Sequence, residues 1–198
     1  MPLLNLNKET KSKIQFATQR SVSGIELEAV ILFTDIRGFT KMSETILPYD
    51  VVYILNKYFK FVVESIEDNG GRVDKFIGDG VMAIFDTSNN MNENCKNALV
   101  ASRNISESLK LLNEELKSEL DENLKIGIGV HAGTVILGKM GFGQSSSETA
   151  IGDSVNIASR LEQLTKKYSC EIMISKKLAD LAEINQKNFS KLKTKLRG

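Results

Sequence analysis

Cysteine and histidine are scarce in this chain. It holds two cysteines, Cys95 and Cys170, and one histidine, His131. Two distant thiols cannot make a disulfide framework, and with a single imidazole they cannot make a zinc site. They are expected to be buried or idle thiols in a reducing compartment. Long apolar runs are missing too. No segment approaches the ~18–20 residues of a membrane span, and the opening MPLLNLNKETK lacks the apolar stretch of a secretory signal. A soluble, cytoplasmic chain is expected. Charge of one sign is not in excess. Lys plus Arg number 26 and Asp plus Glu 25, which argues against nucleic acid as a partner, since a basic surface supplies most of that affinity. The P-loop pattern GxxxxGK[ST] does not occur.

What remains is a globular composition, 41% hydrophobic and 26% charged over 198 residues, enough for one domain. Residues 1–24 are polar and read as an extension or linker, with the domain over 25–198. AVILF at 29–33 is a short apolar run suited to a buried strand. From Asp50, apolar residues recur at three and four, which predicts an amphipathic helix ended at Gly70-Gly71. The runs 73–77 and 81–85 flank Gly78-Asp79-Gly80, a hairpin signal. A second helix is expected from an N-cap at Asn92 through Leu120. Two strands are expected at 124–131 and 134–140, broken at Ala132-Gly133, then a small-residue loop over 141–148. A third helix should start near Asp153, followed by a strand at 171–174, a helix at 176–184 and a last strand at 189–196. This order predicts an α+β fold, helices packed on a mixed sheet.

Several residues could carry chemistry. Asp35 follows the first strand and Asp79 sits in the hairpin turn. If those strands are neighbours, two carboxylates meet at one end of the sheet and suit a hard cation such as magnesium. Taken singly, each is equally an ordinary turn aspartate. Asn156 and Arg160 are four apart and share a helix face. An amide beside a guanidinium suits phosphate recognition, although a solvated helix face has the same pattern. Residues 35–40 form a glycine-containing turn into a helix, where free amides could cradle a phosphate.

Three segments, FTDIRGFT (33–40), GGRVDKFIGDGVMAIF (70–85) and TAIGDSVNIASRLE (149–162), together resemble the catalytic domain of class III nucleotidyl cyclases. The match runs over about 25–198 and is most like the bacterial and cyanobacterial adenylate cyclases. The resemblance implies a palm- or ferredoxin-like sheet and a head-to-tail homodimer with shared active sites. It implies conversion of ATP to 3′,5′-cyclic AMP and pyrophosphate in intracellular signal transduction, with two Mg²⁺ or Mn²⁺ ions per site. Asp35, Asp79 and the carbonyl of Ile36 would hold the metals. Gly38, Phe39 and Thr40 would hold the nucleotide phosphates. Asn156 would orient the ribose, and Arg160 would stabilise the transition-state phosphate. Lys75 and Thr149 would read the base. A lysine donor and a threonine acceptor match N1 and the 6-amino group of adenine, and guanine wants the reverse. Without the resemblance, Lys75 reads as a surface strand lysine. In this resemblance Ser145 and Glu148 stand where relatives often carry Arg and Tyr, Arg197 would take the place of a phosphate-contacting lysine, and the closing C-terminal strand is expected to be missing. An upstream regulatory domain in a longer protein is also implied. A diguanylate cyclase would need a GG[DE]EF-like hairpin, and FIGDGV stands there instead. A degenerate module that only dimerises or senses nucleotide would have lost one of these residues.

Overall fold

The computed structural model describes residues 24–120, 122–142, 146–185, 187 and 189–193. The expected linker over 1–24, apart from Gly24, lies outside the described residues, as do Ser145 and Arg197. The elements are β1 (Gly24–Ile36), α1 (Phe39–Ser43), α2 (Pro48–Glu67), β2 (Arg72–Ile77), β3 (Gly80–Phe85), α3 (Met91–Glu115), β4 (Ile126–Met140), β5 (Ser147–Ile151), α4 (Asp153–Lys167), β6 (Ile172–Ile174) and α5 (Lys176–Leu181). The sheet runs β2-β3-β1-β4-β5, with β6 on β4 as well. All pairings are antiparallel except β4 with β6. The mixed α+β sheet is thus as expected. No helix among the described residues is long and apolar enough to cross a membrane.

β1 is the spine. It pairs with β4 along its whole length, from Gly24 opposite Gly138 to Ile36 opposite Ile126. Ala29, Val30, Ile31 and Leu32 are all fully buried, because both faces of the sheet are covered there. On one face, Val30, Leu32, Val81, Ala83 and Phe85 pack with Ile54, Tyr58, Val62 and Ile66 of α2 and with α3 and α5. The four α2 residues recur every fourth position, the stripe that faces a core. On the other face, Ala29, Ile31, Met82, Ile84, Val135 and Ala150 pack with Ala158 of α4. One helix covers this second face, and at the edge strand β2 the residues Lys75, Phe76 and Ile77 stay exposed.

Several expectations need correction. The two strands placed at 124–131 and 134–140 are one strand, β4, and Ala132-Gly133 continues the ladder opposite Val30 and Ala29. β1 is longer than 29–33, so Asp35 lies inside the strand, opposite Gly127. The loop over 141–148 gives way to β5 from Ser147, which pairs with the end of β4. Glu148 is exposed on β5. The α3 cap is Asn90, whose side chain accepts from the Asn92 main chain, and the helix ends at Glu115 rather than Leu120. The described residues 189–193 form no strand. Cys95 is buried and free, and burial pushes its thiol up to about 11, so it is inert as a nucleophile. Cys170 is also free and half-buried.

Candidate active site

Antiparallel pairing sets Thr34 of β1 opposite Val81 of β3, so the end of β1 lies beside the turn that starts β3. That turn is Gly78-Asp79, and Gly78 has φ of 62°, a left-handed conformation that glycine adopts without strain. The turn aims Asp79 at β1, where its Oδ2 accepts from the Ile36 main-chain N–H at 3.2 Å. The carboxyl groups of Asp35 and Asp79 lie close enough for each to act on the other. Burial, then the charges of Asp79 and Glu162, push Asp35 up to about 7. Gly80 leaves room for this pair, since a β-carbon there would lie 3.0 Å from Asp35 Oδ1. The two aspartates singled out in the sequence are therefore brought together.

This donor set fits a hard divalent cation. It is made of oxygen, it concentrates negative charge, and the crowding that raises Asp35 is what a cation would relieve. No group of three or more His, Cys, Asp or Glu able to hold a metal occurs among the described residues. The chain would thus supply two carboxylates and leave other positions to water or substrate oxygens, the habit of Mg²⁺ sites.

The third carboxylate here, Glu162 on α4, is one the sequence reasoning passed over. Its pKa is raised by burial, against the pull of the Arg37 guanidinium, with the Asp79 charge adding to the rise. Arg37 in turn donates to the Cys170 carbonyl, and its main-chain N–H donates to that of Lys125 at 2.7 Å. The end of β1 is so tied to the segments that precede β4 and β6. Glu162 closes the third motif in the sequence, and that position was the signal available.

Past β1, Gly38 takes φ of 72° and precedes α1 with no side-chain cap. The amides of Phe39 and Thr40 belong to the first helical turn, which has no intrahelical acceptors. All three residues follow directly on the carboxylate pair.

A cleft of about 570 Å³ is lined by Phe33, Lys75, Ile77, Met82, Ile151 and Asn156, among others, and Phe33 and Ile77 stand two residues from Asp35 and Asp79. Lys75 and Thr149 come from β2 and β5, the two ends of the sheet order. They meet at Asp74. The Thr149 hydroxyl donates to Asp74 Oδ2 at 2.5 Å, the Ala150 main-chain N–H donates to Oδ1 at 3.3 Å, and Lys75 Nζ lies 3.4 Å from Oδ2. Asp74 is the second residue missed. Its side chain is fully buried, which its place beside a charged lysine in a polar hairpin did not suggest.

α4 carries Asn156 and Arg160 and lies directly on β4. A β-carbon at Gly129 would collide with the Glu162 main-chain nitrogen and the Ala158 carbonyl, so only glycine lets the helix come this close. Asn156 is exposed and Arg160 half-buried. No hydrogen bond or ion pair within the described residues engages either side chain, which leaves both free for a ligand. Asp35, Asp79, Gly38 and Arg160 do not line the cleft that holds Lys75 and Asn156.

The model of the adenylate and guanylate cyclase catalytic domain matches residues 25–198. This chain belongs to that family. Among curated relatives, the adenylate cyclase of Anabaena cylindrica is 42% identical over 149 residues, which cover 73% of this chain and 29% of that protein. The chain therefore spans under a third of the length of this relative. Among solved structures, the adenylyl cyclase CyaB from P. aeruginosa has a TM-score of 0.75 at 28% identity, covering 81% of this chain and 82% of that one. The guanylyl cyclase Cya2 has a TM-score of 0.73 at 29% identity, covering 81% and 80%. Family and fold are as the three motifs implied.

Proposed function

We propose that the chain is an adenylate cyclase catalytic domain that converts ATP to 3′,5′-cyclic AMP and pyrophosphate. The ribose 3′-oxygen attacks the α-phosphorus, the hydroxyl proton is lost, and the bond from the α-phosphorus to the bridging oxygen of pyrophosphate breaks. No side-chain nucleophile is required. Asp35, Asp79 and the Ile36 carbonyl would hold two Mg²⁺ or Mn²⁺ ions. When bound, such ions favour ionisation of the 3′-hydroxyl and neutralise charge on the triphosphate. The amides of Phe39 and Thr40, with Gly38 leaving the approach open, receive phosphate oxygens. Lys75 donates to adenine N1, and Thr149 accepts from the 6-amino group. Asn156 holds the ribose, and Arg160 meets the charge that builds on the α-phosphoryl group.

One observation carries this reading. The paired carboxylates lie on the same chain as a cleft lined by Lys75 and Asn156, with Thr149 joined to Lys75 through Asp74. The two groups would complete each other across a head-to-tail homodimer. In a longer protein, the domain at 25–198 would follow an upstream regulatory domain, and a cytoplasmic site would give it access to ATP.

Turnover of purified protein with ATP or GTP, with Mg²⁺ or Mn²⁺, tests the reading. Cyclic AMP should form only with a divalent cation, and kcat/KM should favour ATP. Equal kcat/KM for the two nucleotides, or product without added metal after chelation, would overturn it.

A further inference from the structure

We infer that Asp74 sets the hydrogen-bond polarity of the base-reading pair and is a positioning residue for nucleotide choice. The inference rests on the adenine reading proposed above and adds a residue that acts through Thr149 and Lys75 rather than on the nucleotide.

The geometry starts at a bulge. β2 and β3 shift register between Val73 and Lys75, which leaves Asp74 outside the ladder. Its side chain is fully buried and reaches across to β5. An ionised carboxylate accepts and cannot donate. The Thr149 hydroxyl therefore spends its proton on Asp74 Oδ2, at 2.5 Å. Only lone pairs of that oxygen are left for a ligand. The Ala150 N–H bond to Oδ1, at 3.3 Å, fixes the other end of the carboxylate. Lys75 Nζ, 3.4 Å from Oδ2, is held by the same group, with its side chain 42% exposed beside the cleft.

One buried anion thus presents an acceptor at Thr149 and a donor at Lys75. A 6-aminopurine offers the complementary donor and acceptor. A 6-oxopurine brings an oxygen against the Thr149 lone pairs and an N1–H against the ammonium. A threonine alone carries no such polarity, because its hydroxyl can turn either way. Asp74 removes that freedom.

Asp74→Asn reverses the first link. With its amide oxygen on the Ala150 N–H, the new NH₂ donates to Thr149, whose proton is then released to meet a 6-oxo group. The measurement is kcat/KM for ATP, GTP and ITP, with circular dichroism and thermal melting alongside. The ATP-to-GTP ratio should fall by about tenfold or more, with ITP following GTP. In a Thr149→Val background, the same change should move the ratio far less, since its route is gone. Thr149→Asn leaves Asp74 untouched. Its NH₂ should be captured by Asp74 and its carbonyl left for the ligand, so ATP preference should persist. Equal loss for all three nucleotides in Asp74→Asn would make Asp74 merely structural and overturn the inference. An undiminished ratio shift in the Thr149→Val background, or GTP use equal to ATP in Thr149→Asn, would also overturn it. Absence of ATP preference in the unmodified protein would sink the adenine reading itself, and that result is seen before any variant is made.

Discussion

Asp35 and Asp79 oppose each other before any ligand arrives. Burial and like charge raise Asp35, so the native chain carries a destabilising contact at the place where a cation would be favourable. Removing one charge should then stabilise the metal-free protein while ending catalysis. Asp35→Asn keeps the shape and leaves the Ile36–Asp79 bond intact. In chelator, its Tm should rise by roughly 2–4 °C per kcal/mol of relieved repulsion. Unmodified protein should gain Tm on addition of Mg²⁺ or Mn²⁺ by mass action, and Asp35→Asn should lose most of that gain and nearly all turnover. Thermal melts with and without cation check this. A variant that melts lower in chelator, or keeps the full cation-induced shift, would contradict the assignment.

At the scale of elements, the placing of α4 on β4 decides where Asn156 and Arg160 stand. Gly129 admits the helix backbone, and α4 carries Asn156, Arg160 and Glu162. A methyl group there must lift the helix or bend the strand, since backbone atoms cannot rotate aside. Overpacking of this kind costs about 1–3 kcal/mol, or a fall of roughly 2–12 °C in Tm. Gly129→Ala should therefore melt lower and lose kcat beyond what its residual folded fraction explains. Rates measured well below its Tm separate the two effects. The same contact explains what sequence periodicity missed. Gly133, which looked like a strand break, lies against Ser154 of α4, and its lack of a side chain serves packing while the ladder continues. β5 reads as loop because Ser147, Glu148 and Ile151 are exposed and only Thr149 and Ala150 are buried. Asp35 and Asp79 were legible because each lies at a local turn signal, whereas Lys75 and Thr149 were singled out only through the family resemblance. Glu162 and Asp74 were not, because their roles come from a helix–strand contact and a bulge that local spacing does not encode.

For the whole molecule, the question is which two surfaces make one site. The cleft with Lys75 and Asn156 does not include Asp35 or Asp79. Exposed apolar side chains, Met140 and Phe142 at the end of β4 and Ile77 and Ile151 beside the cleft, offer a surface that a second copy could cover. A two-fold dimer repeats each contact, so it holds two equivalent sites. If each site takes carboxylates from one chain and Arg160 from the other, the homodimers of Asp79→Ala and of Arg160→Ala have both sites broken. In a mixed dimer, both defects fall in one site and the other is intact. Random exchange gives about half mixed dimers with one good site of two, so ~25% of wild-type activity should return on mixing. Activity per chain should also rise with protein concentration until association saturates. Subunit exchange, followed by fluorescence transfer between labelled variants, is measured in the same samples. Exchange without recovered activity would mean that Asp79 and Arg160 serve the same site from one chain, and the dimer would lose its catalytic role.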